Sequence, residues 1–388
     1  MENIKEINKK ASRSAIWFAY IVIFFEMIYM STPFAVFFYS VYRPPLQFLN
    51  ESSATFWLVQ NIFPHFAQTN SVFINSLLYA SWPLMGTGLA IFLISFIQLY
   101  WAKFRKKGAV EGGLYRFIRH PQYIGWSIFG LGIAIFWSRM IVILMYVSML
   151  FVYYLLARSE ERDCLEKYGE RYRSYYRKTG RFFPKLNPNK RYLSRRTLPE
   201  KGVKRTGTLI IVYLLTIFGT IGLGLFLRSY SLSNISSVSR DNAAVISTFP
   251  MDEGQINAIV AIAMQDKIVK RKLAPKIDFA RTAQLIYIIP LEWKIPELAM
   301  ESAQAGQRDH GFNPTNHMNP TDFDRNLYKV LFSKAGVDKN VAGKDIISKA
   351  RYQKPLLLVK LNLQTNRVIG VETPPDQGKY GDLPVPIF

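Results

Sequence analysis

Residues 123–157 read YIGWSIFGLGIAIFWSRMIVILMYVSMLFVYYLLA. Two apolar runs, Tyr123 to Trp137 and Met140 to Ala157, are separated by Ser138 and Arg139 alone. Runs of this length and hydropathy point to membrane helices, and a two-residue connection forces neighbouring helices antiparallel. The centre of the chain is therefore a helical hairpin in a membrane. Three further apolar runs surround it: Ala15 to Ser40, Leu77 to Trp101 and Thr206 to Leu227. The expected architecture is an α-helical integral membrane protein of about five transmembrane helices followed by a soluble α+β domain.

Charge fixes the expected orientation. The formal net charge is +22 over 388 residues. From Ser229 to Phe388 there are 20 Lys and Arg against 16 Asp and Glu, so the basic excess belongs to residues 1–228, with 29 against 11. Coupling of basic loops to apolar runs indicates membrane topology and anionic lipid, and argues against a nucleic-acid partner. Lys and Arg crowd the N-terminus, residues 103–120 and residues 158–205, the last with 16 against 6 acidic residues. The 42–76 loop and the 138–139 turn carry one basic residue each. The expectation is a cytoplasmic N-terminus and a C-terminal domain on the opposite, periplasmic side of a bacterial inner membrane. The N-terminal run is too long for a signal peptide and has no small-residue cleavage site.

The expected divisions are an N-terminal helix and outer loop (1–76), a helical core with a cytoplasmic amphipathic helix (77–205), a fifth span (206–228) and the α+β domain (229–388). Helices are expected at Ile256–Leu273, Ile277–Ile288 and Asp322–Ala335, and a β-hairpin at Leu356–Leu363 and Arg367–Val371. Phe56 to Val59 is expected in the membrane interface. Glu26, inside the first run, is either a functional carboxylate or one set against a helix partner. Gly86 and Gly88 either permit close helix packing or are neutral. The single cysteine, Cys164, excludes an intrachain disulfide and is expected to be incidental. The loop Arg308 to His317 has two histidines without a clear third ligand, and no metal is assigned.

Chemistry is expected on two polar segments flanking the hairpin. In Arg119-His120-Pro121-Gln122-Tyr123, Pro121 excludes His120 from helical geometry and opens the third span. Arg119 and His120 then stand at a helix N-terminus, where free N–H groups and the dipole favour an anion. The alternative is a basic headgroup anchor with Tyr123 and Trp126 as an aromatic belt. After the hairpin, Glu160 and Glu161 begin a helix leaving the membrane. Glu161, Leu165, Tyr168, Tyr172 and Tyr175 recur on one face of it.

These residues resemble the isoprenylcysteine carboxyl methyltransferase family and the related phospholipid N-methyltransferases. The likeness runs through Gly113-x-Tyr115-x-x-x-Arg119-His120-Pro121-x-Tyr123-x-Gly125, then Glu160-Glu161-x-x-x-Leu165, Gly169-x-x-Tyr172-x-x-Tyr175 and Arg181-Phe182-x-Pro184, over about residues 77–186. The resemblance implies S-adenosylmethionine (SAM) bound by Tyr115, His120, Pro121, Tyr123, Gly125, Glu160 and Glu161. It implies a lipidic or prenylated acceptor, carboxylate or amine. Arg119 and Arg181 are then expected to orient an anionic acceptor or the cofactor carboxylate, and Glu161 or Glu160 to take the proton of an amine. The second reading is a non-catalytic subunit of a membrane complex. In both, the C-terminal domain is expected to dock a protein partner.

Overall fold

A computed structural model describes residues 24–25, 27–38, 40, 43–65, 67–105, 109–185, 203–278, 281–295, 298 and 323–375. Glu26, the Arg308–His317 loop, residues 15–23 and 39 of the expected first span and residues 186–202 lie outside them. Helices are α1 (Met27–Phe38), α2 (Arg43–Glu51), α3 (Phe56–Val59), α4 (Val72–Phe104), α5 (Pro121–Phe136), α6 (Met140–Lys178) and α7 (Val203–Ser233). Three of them are long and apolar enough to cross a membrane: α4, α6 and Thr206–Ser233 of α7. The apolar helices α1 and α5 are shorter. A hairpin between α5 and α6 forms as the two-residue connection requires.

Contacts divide the chain into two units. The first comprises Met1–Val41, Met85–Leu131 and Met145–Thr216. Its helices approach through glycine. A Cβ on Gly125 would fall 2.5 Å from the Phe92 backbone nitrogen, and one on Gly88 would fall 2.2 Å from that of Phe129. Only hydrogen fits between α4 and α5 there. Gly86 has nothing within 4 Å. The Trp126 ring packs at 4.1 Å from both Phe34 and Phe92, tying α1, α4 and α5 together. Across the hairpin the Tyr146 hydroxyl donates to the Ser127 carbonyl at 3.0 Å. Ser148 and Tyr213 share a 2.9 Å hydroxyl contact that joins α6 to α7.

The second unit comprises Tyr42–Leu84, Gly132–Leu144 and Ile217–Phe388. Its centre is a six-stranded mixed sheet, order β1 to β6: Ser237–Arg240, Ala243–Ser247, Gln284–Pro290, Leu327–Gly336, Tyr352–Asn362 and Arg367–Glu372. Only β2 and β3 are parallel. A parallel pair needs a crossover, supplied here by α8 (Glu253–Gln265) and α9 (Lys267–Leu273). Asp252 caps α8 by accepting from the Gln255 N–H at 2.9 Å, and Asp266 caps α9 through Ile268 and Val269. Ile256, Ile259, Ala263, Val269 and Leu273 enter the same core as Val330, Leu357 and Val359.

Two expected helices are strands. At the end of 277–288 and just beyond it, the run Gln284–Pro290 is buried at every position, and a strand covered on both faces loses the alternation that identifies it. Within 322–335, Leu327, Val330 and Leu331 fall at helical spacing. The residue that breaks the alternation, Lys329, is itself buried, its Nζ donating to the Trp293 carbonyl at 3.1 Å. The hairpin β5–β6 forms where expected. Phe56 and Val59 are buried in this unit.

Residues 59–71 knit the unit together. The Ile62 N–H donates to the Ser138 carbonyl and the Met140 N–H to that of Gln60, so the α5–α6 turn is bridged by this loop. Arg228 of α7 reaches the Asn61 carbonyl (3.3 Å) and the Ser348 carbonyl (3.0 Å), and Gln60 also donates to Ser348 (2.8 Å). The Gln68 N–H donates to Thr248, and Ala67 joins the sheet-domain core.

Candidate active site

Pro121 opens α5, and the backbone just before it lies alongside residues 180–181. Ile118 and Gly180 form a parallel bridge, the Arg119 N–H donates to Gly180 (2.9 Å) and the His120 N–H to Arg181 (3.2 Å). The 180–183 turn is sharp, since a Cβ on Gly180 would meet the Phe183 carbonyl at 1.7 Å. From the other side α6 continues past its apolar part, which ends at Ala157, and presents Glu160 and Glu161. The helix breaks at Gly169 (φ 54°, ψ −131°), a conformation reserved for glycine, and resumes to Lys178. Beyond the break the buried Tyr175 hydroxyl donates to the Tyr115 carbonyl at 2.6 Å, drawing that segment onto the first.

At the centre is Glu161, 1% exposed. Arg119 Nε donates to its Oε1 at 2.7 Å. Arg181 grips it by a fork, Nε to both oxygens at 3.0 and 3.1 Å and a second nitrogen to Oε2 at 2.5 Å. Arg119 is occupied further by the carbonyls of Tyr176 and Thr179, and its guanidinium lies 4.1 Å from the Tyr176 ring centre. Arg181 lies over Tyr154 at 5.2 Å and keeps 22% of its side chain exposed. Burial alone would raise the Glu161 carboxyl. His120 and the two guanidiniums overcome that and hold it well below the usual carboxylate range. For Arg181, burial opposes the charged form, but Glu161 outweighs it and raises the guanidinium.

Glu160 is different. Its side chain is 35% exposed, one oxygen accepts from the Tyr123 hydroxyl, and the other stands 3.4 Å from His120 Nδ1. His120 is buried between the two carboxylates, with Nε2 3.5 Å from Glu161. Neither ring nitrogen makes an aligned hydrogen bond. Burial opposes protonation of this imidazole, yet the two carboxylates win and raise it above its ordinary value. The imidazole stacks on Tyr123 (5.5 Å), which stacks on Tyr153 (4.7 Å), and Phe182 lies 6.0 Å from it.

Arg119, His120, Tyr123, Glu160, Glu161 and Arg181 thus converge. Tyr115, Pro121 and Gly125 stand beside the cluster. Tyr115 bonds Gln122 Oε1 and the Ser95 carbonyl through its hydroxyl (3.1 and 3.3 Å), and Gly125 meets α4. Sequence reasoning missed Tyr153 and Tyr154, which carry no polar signal inside an apolar run. It also missed Tyr176, Thr179 and Gly180, the last marked only by its place before Arg181.

The segment holding all of this except residues 172–183 matches the phospholipid methyltransferase model over residues 90–171. Over those residues the chain is similar to that family. A methanethiol S-methyltransferase of Pseudomonas deceptionensis is 29% identical over 152 residues, covering 34% of this chain and 55% of its own length. The chain therefore spans about half of that relative. No solved structure matches. The match and the apolar helices support a membrane protein with a methyltransferase-like segment, and a sheet domain stands at the C-terminal end. Of the five expected spans, three are helices long and apolar enough to cross a membrane among the described residues.

Proposed function

We propose that the protein is an integral-membrane, SAM-dependent methyltransferase acting on a lipidic or prenylated acceptor at the cytoplasmic face of a bacterial inner membrane. The observation that carries this is the buried imidazole between one saturated and one half-exposed carboxylate, inside the family segment. The distribution of basic residues supports five spans, counting α1 and α5, with the sheet domain on the periplasmic side.

The residues present fit one pole of the cofactor. Glu161 has its oxygens taken by two guanidiniums, whereas Glu160 retains an exposed carboxylate edge for an ammonium or ribose hydroxyl. Glu160, His120 and Tyr123 would hold that pole. SAM supplies an electrophilic methyl group on a sulfonium, so the protein's part is positioning and exclusion of water. Arg119 and Glu161 fix the geometry, and the exposed side of Arg181 is left for an anionic group. A carboxylate acceptor needs no base. For an amine, Glu160 is the better base, because a carboxyl held as low as Glu161 is a weak one. The methyltransferase of P. deceptionensis, named for methanethiol, adds a thiol to the acceptors to be assayed.

Calorimetric titration of detergent-solubilised protein with SAM tests the reading. Binding by the unmutated chain and its loss in Glu160→Gln are expected. Absence of binding by the unmutated chain overturns it and favours a methyltransferase-like subunit that docks partners through its C-terminal domain.

A further inference from the structure

Tyr123 and Trp126, the pair expected as an aromatic belt, face inward: Tyr123 is fully buried and Trp126 is packed between Phe34 and Phe92. The outward aromatics beside the site are Phe117, 59% exposed, and Phe183, 80% exposed. They sit on the two segments that the Ile118–Gly180 bridge holds together. Exposed cations accompany them: Arg116 on one segment, and Arg177, Lys178 and Lys185 on the other. Lys185 is held over the helix end by the Arg177 carbonyl at 2.6 Å. No acidic residue occurs in 113–119 or 176–185. Exposed phenylalanines ringed by uncompensated cations match the headgroup–acyl boundary of an anionic leaflet, which takes apolar rings and basic side chains together.

We propose that Phe117 and Phe183 form an aromatic lip inserted into a leaflet that carries anionic lipid, with Arg116, Arg177, Lys178 and Lys185 on the headgroups. The Gly180–Phe183 turn connects this lip to the buried cluster, because consecutive residues point three ways. Arg181 grips Glu161, Phe182 lies against His120 and Phe183 points outward. A molecule taken from that leaflet would reach Arg181 by passing the lip.

The test uses the full chain in nanodiscs of phosphatidylcholine with or without phosphatidylglycerol. Phe183→Cys, in a Cys164→Ser background, is labelled with a polarity-sensitive fluorophore. Phe117→Cys is labelled likewise in case one variant fails to fold, and Ile369→Cys, on an exposed position of β6, serves as the aqueous reference. Chain-brominated lipids should quench the probes at 183 and 117 but not at 369, iodide should do the reverse, and omission of phosphatidylglycerol should shift the emission at 183 to the red. Iodide quenching at 183 and 117 without bromolipid quenching overturns the proposal. So does shielding from both quenchers, which would mean a protein contact, and an emission indifferent to phosphatidylglycerol overturns the anionic assignment. No turnover is read, so failure here leaves the methyltransferase reading standing.

Discussion

Adjacent acids that look equivalent in the sequence do different work. Glu161 is buried against two guanidiniums, and deleting one member of such a buried pair leaves uncompensated charge, a cost of about 3–5 kcal/mol. Glu161→Gln should therefore lower the thermal midpoint in detergent strongly, whereas Glu160→Gln should leave it nearly unchanged and remove SAM binding; a thermal-shift series beside calorimetry separates the two. His120 provides a pH signature. Its native pKa is raised by the carboxylates, so the stabilisation from its protonated form is fully present below about pH 6.5 and is lost as pH rises through the native value. The midpoint difference between the unmutated protein and His120→Gln should shrink with rising pH over that range. Unfolding curves across a pH series check this. Pro121, by opening a helix, marked Arg119 and His120 as a place for an anion, but the sequence reading reserved that place for an acceptor or cofactor carboxylate, whereas Glu161 occupies Arg119. That Glu161 spends its lone pairs on arginines was not legible, since sequence spacing says nothing about which charge neutralises which.

At the level of elements, two glycines carry geometry that no other residue supplies. Gly125 lets α5 lie against α4, and Gly125→Ala would drive a methyl group into the Phe92 backbone. A cost of about 1–3 kcal/mol from overpacking is expected, read as a lower thermal midpoint. Gly169 bends α6 so that Tyr172 and Tyr175 turn inward. Gly169→Ala should cost about 1–3 kcal/mol in backbone strain. The apolar hairpin, its short turn and the helix that leaves the membrane were readable from hydropathy and length alone. The strands Gln284–Pro290 and Leu327–Gly336 were not. One is apolar at nearly every position, and the other hides a buried lysine, so neither shows the alternation of a half-exposed strand.

For the molecule as a whole, the chain joins a core similar to the phospholipid methyltransferases to a sheet domain that packs with the 59–71 loop, the tip of the α5–α6 hairpin and the end of α7. Charge counting predicted a separate domain but not this attachment, which depends on backbone carbonyls of Asn61 and Ser348 that no side-chain pattern reveals. Arg228→Met removes both bonds and should weaken the attachment by about 1.5–3 kcal/mol. Faster release of the C-terminal fragment in limited proteolysis would register it. The central claim is methyl transfer at the cluster of His120, Glu160, Glu161 and Arg181. Its most direct measurement gives reconstituted protein SAM bearing a tritiated methyl group, together with membrane lipid extract, prenylated peptide or a small thiol. Label in one acceptor fraction with the unmutated chain, and none with Glu160→Gln or His120→Ala, is the predicted result. Label in no fraction, or equal labelling by both variants, would contradict the account.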